Sequence, residues 1–115
     1  MIIQLKQPNL EYSDLTAGQS YVVIGIEADD FRILNDHGRP FLYTCDLFVV
    51  VDAREPSDWV VEVGDDGERY AYPPQLNTGG FFEDYFDAKP DAVSTFWQVV
   101  NQHLATASMT VWFMF

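Results

Sequence analysis

Two histidines, one cysteine and 18 carboxylates are the groups from which this 115-residue chain would have to build a reactive site. Their spacing does not favour one. His37 stands in the turn-like run Asn35-Asp36-His37-Gly38. His103 lies near the end of an apolar-periodic stretch, where a cation suits a helix C-terminus. No Ser-His-Asp or Cys-His arrangement follows from local spacing. Cys45 precedes Asp46, and an adjacent carboxylate discourages the thiolate that a nucleophile needs. The run Asp65-Asp66-Gly67-Glu68 lacks the ligand register of a calcium-binding loop, and Asp29-Asp30 reads as a turn pair. A carboxylate pair for glycoside hydrolysis needs a groove that a chain this short rarely supplies. The expectation is a protein with no catalytic residues, no cofactor and no bound metal.

Charge says more than reactivity. The 18 acids face 6 Lys and Arg, for a net charge of −12. Sixteen of the 18 acids lie between Glu27 and Asp91, so the negative charge belongs to the folded body rather than to a tail. Such a field repels nucleic-acid phosphates and anionic lipid, and it suits a basic protein partner or simple solubility. The single Cys45 rules out an internal disulfide and fits a reducing compartment. Met1 to Pro8 lacks a basic region followed by an apolar core, so no signal peptide is expected. Met109 to Phe115 is apolar but too short to span a bilayer. A soluble cytoplasmic protein is the expectation, with no nucleic-acid or membrane partner.

The elements that position these groups are short. Ile2 to Leu5 reads as an edge strand, and Leu15 to Ser20 as a turn into the strong strand Tyr21 to Ala28. Period-two alternation places Val22, Ile24, Ile26 and Ala28 on one face of that strand. Gly25 inside the run marks a bend or a close backbone approach. Strands follow at Phe31 to Leu34, Phe41 to Tyr43 and Leu47 to Asp52, separated by Asp29-Asp30 and by Asn35 to Gly38. Trp59, Val61 and Val63 then form the apolar face of a further strand. Asp66-Gly67 is a favoured two-residue hairpin turn, which pairs Val63 with Tyr70 and Val61 with Tyr72. It also sets Asp65 against Glu68, a like-charge cost. A longer turn is the alternative.

After Tyr72 the composition changes. Pro73-Pro74 ends the sheet, and Phe81-Phe82-Glu83-Asp84-Tyr85-Phe86 is a compact aromatic and acidic segment one helical turn long. Asp87 or Asp91 caps a helix, with Pro90 in its first turn. Its buried face runs through Val93, Phe96 or Trp97, Val100 and Leu104. Ala105 to Ser108 loosens the helix, and Met109 to Phe115 reads as a last strand. Left open, that strand would invite aggregation, so it pairs inside the domain or is covered by a partner or a second copy, making a homodimer one outcome.

The pattern Gly18-x-x-Tyr21-x-Val23-x-Gly25-Ile26-Glu27, then Arg32 to Asp36, Gly38, Pro40, Leu42 and Tyr43, then Phe48, Val50, Asp52, Pro56 and Asp58 to Val60, resembles small bacterial SH3-like β-barrel proteins of the toxin-immunity type. The resemblance covers roughly residues 12–86. It implies a protein that occludes a toxin and has no active site of its own. The expected fold is α+β and mainly β: an SH3-like antiparallel barrel of about five strands over residues 12–74, then one C-terminal helix and a short last strand, all in a single domain of residues 1–115. The aromatic and acidic segment and the helix occupy residues 77–106, and the last strand residues 109–115. The partner is expected to be a cognate basic toxin, met by Asp29, Asp30, Asp65, Asp66 and Glu68 and anchored on Phe81, Phe82 and Tyr85 with Glu83 and Asp84 as an acidic rim. Alternatively, Phe82 and Phe86 plug the open end of the barrel and the neighbouring acids are merely solvated. A second functional reading is a regulatory or scaffold SH3-like module binding a peptide or an enzyme domain in an aromatic groove of Tyr43, Trp59, Tyr70 and Tyr72.

Overall fold

Polar turns carrying Asp, Asn, Gly or Pro cut most of the first 72 residues into short β-prone segments, and in the computed structural model these form an antiparallel sheet. The structure describes residues 1–113, with side chains through residue 105. Contacts divide the chain into two units, Met1–Tyr72 and Pro73–Phe115, with the boundary at Pro73-Pro74 where the composition shifts. The first unit contains β1 (Ile2–Leu5), β2 (Ser20–Glu27), β3 (Asp30–Leu34), β4 (Pro40–Thr44), β5 (Phe48–Asp52), β6 (Val60–Val63) and β7 (Arg69–Tyr72). The second contains a 3₁₀ turn at Pro74–Leu76, then α1 (Phe81–Phe86) and α2 (Pro90–Phe113).

β2 organises the sheet. One of its edges pairs with β3, and β3 with β4. Its other edge is divided, with Ser20 to Val22 pairing with β1 and Ile26 and Glu27 with β7. β5 then adds to β1, and β6 to β7. The expected barrel is therefore corrected to an open, branched sheet of seven strands rather than about five. Because β2 shares one edge between two partners, the sheet forks instead of closing. Among the described residues, β4, β5 and β6 each pair on one side only.

The face assignment of β2 is corrected for its first residues, while Ile24 and Ile26 are buried as the expected apolar face requires. Tyr21 and Val23 point into the core, together with Ile3, Leu5, Leu15, Ile33, Phe48, Trp59 and Ala71, whereas Val22 is half-buried. Pairing with β3 shifts between Val23 and Gly25, so the strand changes phase there and Ile26 also turns inward. A one-residue bulge reverses the facing of everything beyond it. The expected bend at Gly25 is where the ring of Tyr72 packs so closely on the backbone that a Cβ would collide with it.

The second unit gathers its aromatic residues around α2. Phe96 is fully buried, with Val99 and Val100 beside it, and burying a phenylalanine of that kind contributes about 1.5–3 kcal/mol. Leu104, expected on the same face, is exposed. Two helices replace the expected one. The expected last strand is also corrected, since residues 109–113 continue α2 and residues 114–115 lie outside the described part. No Gly or Pro occurs between Asp91 and Phe113, so nothing in the backbone stops helix propagation.

Candidate interaction surface

β2 and β7 run antiparallel, with Glu27 beside Tyr70, so the turn leaving β2 lies next to the turn entering β7. The Ala28 N–H donates to the Arg69 carbonyl at 2.9 Å and fixes that contact. On the other side, the Cys45 N–H donates to the Asp29 carbonyl at 2.8 Å, and Asp30 pairs with Thr44. Three turns therefore lie at the same end of the sheet. They carry Asp29 and Asp30, Asp46, and the run Asp65, Asp66 and Glu68. Asp29, Asp46, Asp65 and Asp66 are exposed, and Asp30 and Glu68 half-buried. Residues 29–30 and 65–68 are far apart in sequence, and only the pairing of β2 with β7 joins them. Asp46 is not an acid that sequence spacing singles out, because its place depends on the β3–β4 register.

The hairpin tip differs from the two-residue turn expected there. Val63 pairs with Arg69 and Val61 with Ala71, one residue away from the expected register. Gly64 N–H donates to the Glu68 carbonyl at 2.8 Å and Gly67 N–H to the Gly64 carbonyl at 3.0 Å. The turn is thus longer, with Gly67 at φ 84° completing it as a three-residue loop with a left-handed glycine. Asp65 is not opposite Glu68. Instead the Glu68 carboxylate folds over Gly64 and accepts the Asp66 N–H at 3.0 Å. Part of the acidity at this tip therefore serves the turn itself.

A second feature lies on the edge strands. Trp59 is buried, but Val61 and Val63, expected on the same apolar face, are 46% and 68% exposed. Val49, Val50 and Val51 on β5 are exposed as well. β5 and β6 are both edge strands, and both run antiparallel to strands that pair with the same edge of β2. Isolated exposed valines are ordinary, whereas a row of them on unpaired strand edges marks a place where another chain can dock.

Other acids are held by the fold. Buried Arg32 donates from Nε to the Tyr72 hydroxyl at 2.6 Å, from Nη1 to the Pro40 carbonyl at 2.7 Å and from Nη2 to Glu27 Oε2 at 2.7 Å. The Tyr72 hydroxyl in turn donates to Glu27 at 2.6 Å. Asp14 accepts from Tyr43 and Asn35, and Asp36 from Tyr21 and Thr16, tying the β3–β4 turn to the loop before β2. Glu55 holds Arg69 through two hydrogen bonds. These carboxylates stabilise the sheet, whereas among the described residues the acids of the three turns are not engaged in ion pairs with it.

In the second unit Phe81 is buried, and Phe82 and Tyr85 are half-buried against Phe96, with ring centroids 6.1 and 4.7 Å from it. Glu83 and Asp84 are exposed, and Phe86 is 44% exposed. The segment therefore leaves Phe86 exposed and Phe82 and Tyr85 partly so, while Phe81 packs inward.

The aromatic-groove alternative has no surface to stand on, since Tyr43, Trp59 and Tyr72 are buried and Tyr70 is half-buried. Burial, then the neighbouring Asp46, Asp29 and Asp30, push the Cys45 thiol above its ordinary pKa. Among the described residues, no group of three or more His, Cys, Asp or Glu is placed to hold a metal ion. No described helix is long and apolar enough to cross a membrane. Comparison of the chain with protein-family models, with curated proteins and with solved structures yields no match.

Proposed function

We propose that this chain is a non-catalytic protein that captures a basic protein partner, most concretely an immunity protein that covers a cationic toxin. The observation that carries the reading is the convergence of Asp29, Asp30, Asp46, Asp65 and Asp66 at one end of the sheet, beside the exposed Val61 and Val63 of β6. Carboxylates held together by backbone pairing focus a negative field that speeds encounter with a cationic surface, and apolar groups next to them lengthen the life of the complex. The toxin-immunity role itself rests on the sequence resemblance.

Affinity capture from the native host tests this, using the wild-type chain and a variant with Asp29, Asp30, Asp65 and Asp66 changed to Asn. A basic protein retained by the wild type, released by salt and missed by the variant supports the reading. Equal capture by both chains refutes the acidic end as the binding surface. For the immunity role, co-expression with the product of the adjacent gene should restore growth to cells that this product otherwise arrests. Absence of protection removes that role.

A further inference from the structure

We propose that the partner binds by adding an extended, lysine- or arginine-bearing strand to the open edge of β6. This rests on the basic-partner reading above and specifies how the partner docks.

The hydrogen-bond phase of the β6–β7 ladder points to it. Gly64 bonds directly to Glu68, and residues along an antiparallel pair alternate between bonded and non-bonded positions. Counting back through the register, Glu62 and Val60 bond to Tyr70 and Tyr72, whereas Val63 and Val61 are non-bonded opposite Arg69 and Ala71. The N–H and C=O groups of Val61 and Val63 therefore point away from β7. β6 pairs with no other strand among the described residues. These are also the two exposed valines, at 46% and 68%. The edge presents backbone hydrogen-bonding groups and apolar side chains at the same two residues.

Charge selects the occupant. From Glu55 to Glu68 the sequence contains six acids and no Lys or Arg. Asp58, Glu62, Asp65 and Asp66 are exposed before, within and after the strand. A second copy paired antiparallel about Glu62 would set Glu62 directly against Glu62, and like charges directly opposite destabilise a ladder. A strand with a cation at that position gains instead, because Glu62 occupies a non-bonded position of the new ladder, where facing residues approach most closely. The other valine-bearing edge is less suitable. The β1–β5 register shifts between Ile2 and Ile3, and such a bulge blunts an edge. Its end is also occupied by the Asp52–Arg54 ion pair, at 2.7 Å.

The test uses the full chain, amide hydrogen exchange by NMR, and a blocked alternating Lys-Val peptide. In the free protein the amides of Val61 and Val63 should exchange rapidly while that of Glu62 is protected. The peptide should slow exchange at Val61 and Val63 by about tenfold or more at saturation. An alternating Glu-Val peptide, or the Lys-Val peptide N-methylated at alternate amides, should have no such effect. Glu62→Lys, an exposed substitution whose folding is checked by circular dichroism, should weaken the Lys-Val peptide about tenfold and admit the Glu-Val peptide. Perturbation confined to the turns of Asp29, Asp46 and Asp65, with Val61 and Val63 unchanged, overturns strand addition but leaves the basic-partner reading intact. A peptide that perturbs no amide overturns both. Protection at Val61 and Val63 that rises with protein concentration alone assigns the edge to a second copy and overturns the proposal.

Discussion

The Ala28 N–H lies 2.9 Å from the Arg69 carbonyl, and this bond places the turn after β2 against the turn before β7. Both turns are acidic, so the fold holds like charges together that an unfolded chain would separate. Screening should relieve that repulsion, since exposed charges interact over a Debye length of about 8 Å at physiological ionic strength. Urea denaturation midpoints should rise as sodium chloride is raised from low to moderate concentration. Changing Asp29, Asp30, Asp65 and Asp66 to Asn should flatten that dependence and leave stability at low salt unchanged or higher. A wild-type midpoint insensitive to salt would sink the argument.

Gly25 should not tolerate a side chain. Its backbone supports the ring of Tyr72, which is held from the far end by Arg32 and Glu27 and cannot swing away. Gly25→Ala should therefore destabilise the protein by about 1–3 kcal/mol, the usual cost of forcing extra volume into a packed site. Gly18→Ala serves as a control: its Cβ meets nothing, so any loss there comes from its φ of 77° alone. Equal stability of wild type and Gly25→Ala in chemical denaturation would refute the close packing.

Arg32 joins β3 to β2, β4 and β7 through a single guanidinium. Its removal leaves Glu27, the Tyr72 hydroxyl and the Pro40 carbonyl short of a donor. Arg32→Met should cost about 3 kcal/mol, the lower end of the range for breaking a buried pair, because the Glu27 side chain is 33% exposed and partly rehydrates. Lysine supplies charge but not the planar fork, so Arg32→Lys should recover only part of the loss. Full recovery by lysine would show that charge alone matters.

Alkaline pH should unfold the sheet. Burial, reinforced by the hydrogen bond to Asp14, raises the Tyr43 pKa well above its ordinary value. Burial likewise dominates for Tyr72, outweighing the opposing effect of Arg32. A folded-state pKa above the unfolded one means that the native state keeps its proton longer. The stabilisation is complete below the unfolded tyrosine pKa of about 10 and is lost as pH rises beyond it. Unfolding free energy should therefore fall above about pH 10, with the last part of the tyrosinate absorbance appearing together with loss of circular dichroism. Tyr43→Phe should reduce the steepness of that fall. Ionisation of all six tyrosines on a still-folded protein would contradict the burial of both hydroxyls.

The strands from Ile2 to Tyr72, the turns at Asn35 to Gly38 and Asp65 to Gly67, the break at Pro73-Pro74 and the helical aromatic segment are all legible in the sequence. They follow from local chemistry: alternation of apolar residues, turn formers and a missing backbone donor. The acidic run at the hairpin tip is legible too, but not its register, because Gly64 and Gly67 accept either turn length and one residue of slip exchanges the faces of β6. The phase change of β2 at Gly25 is equally silent in sequence, since Val22, Val23, Ile24 and Ile26 suit either face.

Local pattern alone determined that the chain makes an acidic, mainly antiparallel β protein with a helical C-terminal part. Tertiary pairing decided the remainder. β2 divides an edge between β1 and β7, so the sheet forks and leaves β4, β5 and β6 each paired on one side among the described residues. That same division brings Asp29 beside the hairpin tip and exposes Val61 and Val63. The β-prone run from Met109 entered α2 because strand propensity is realised only against a partner strand, whereas an uninterrupted helix supplies its own hydrogen bonds.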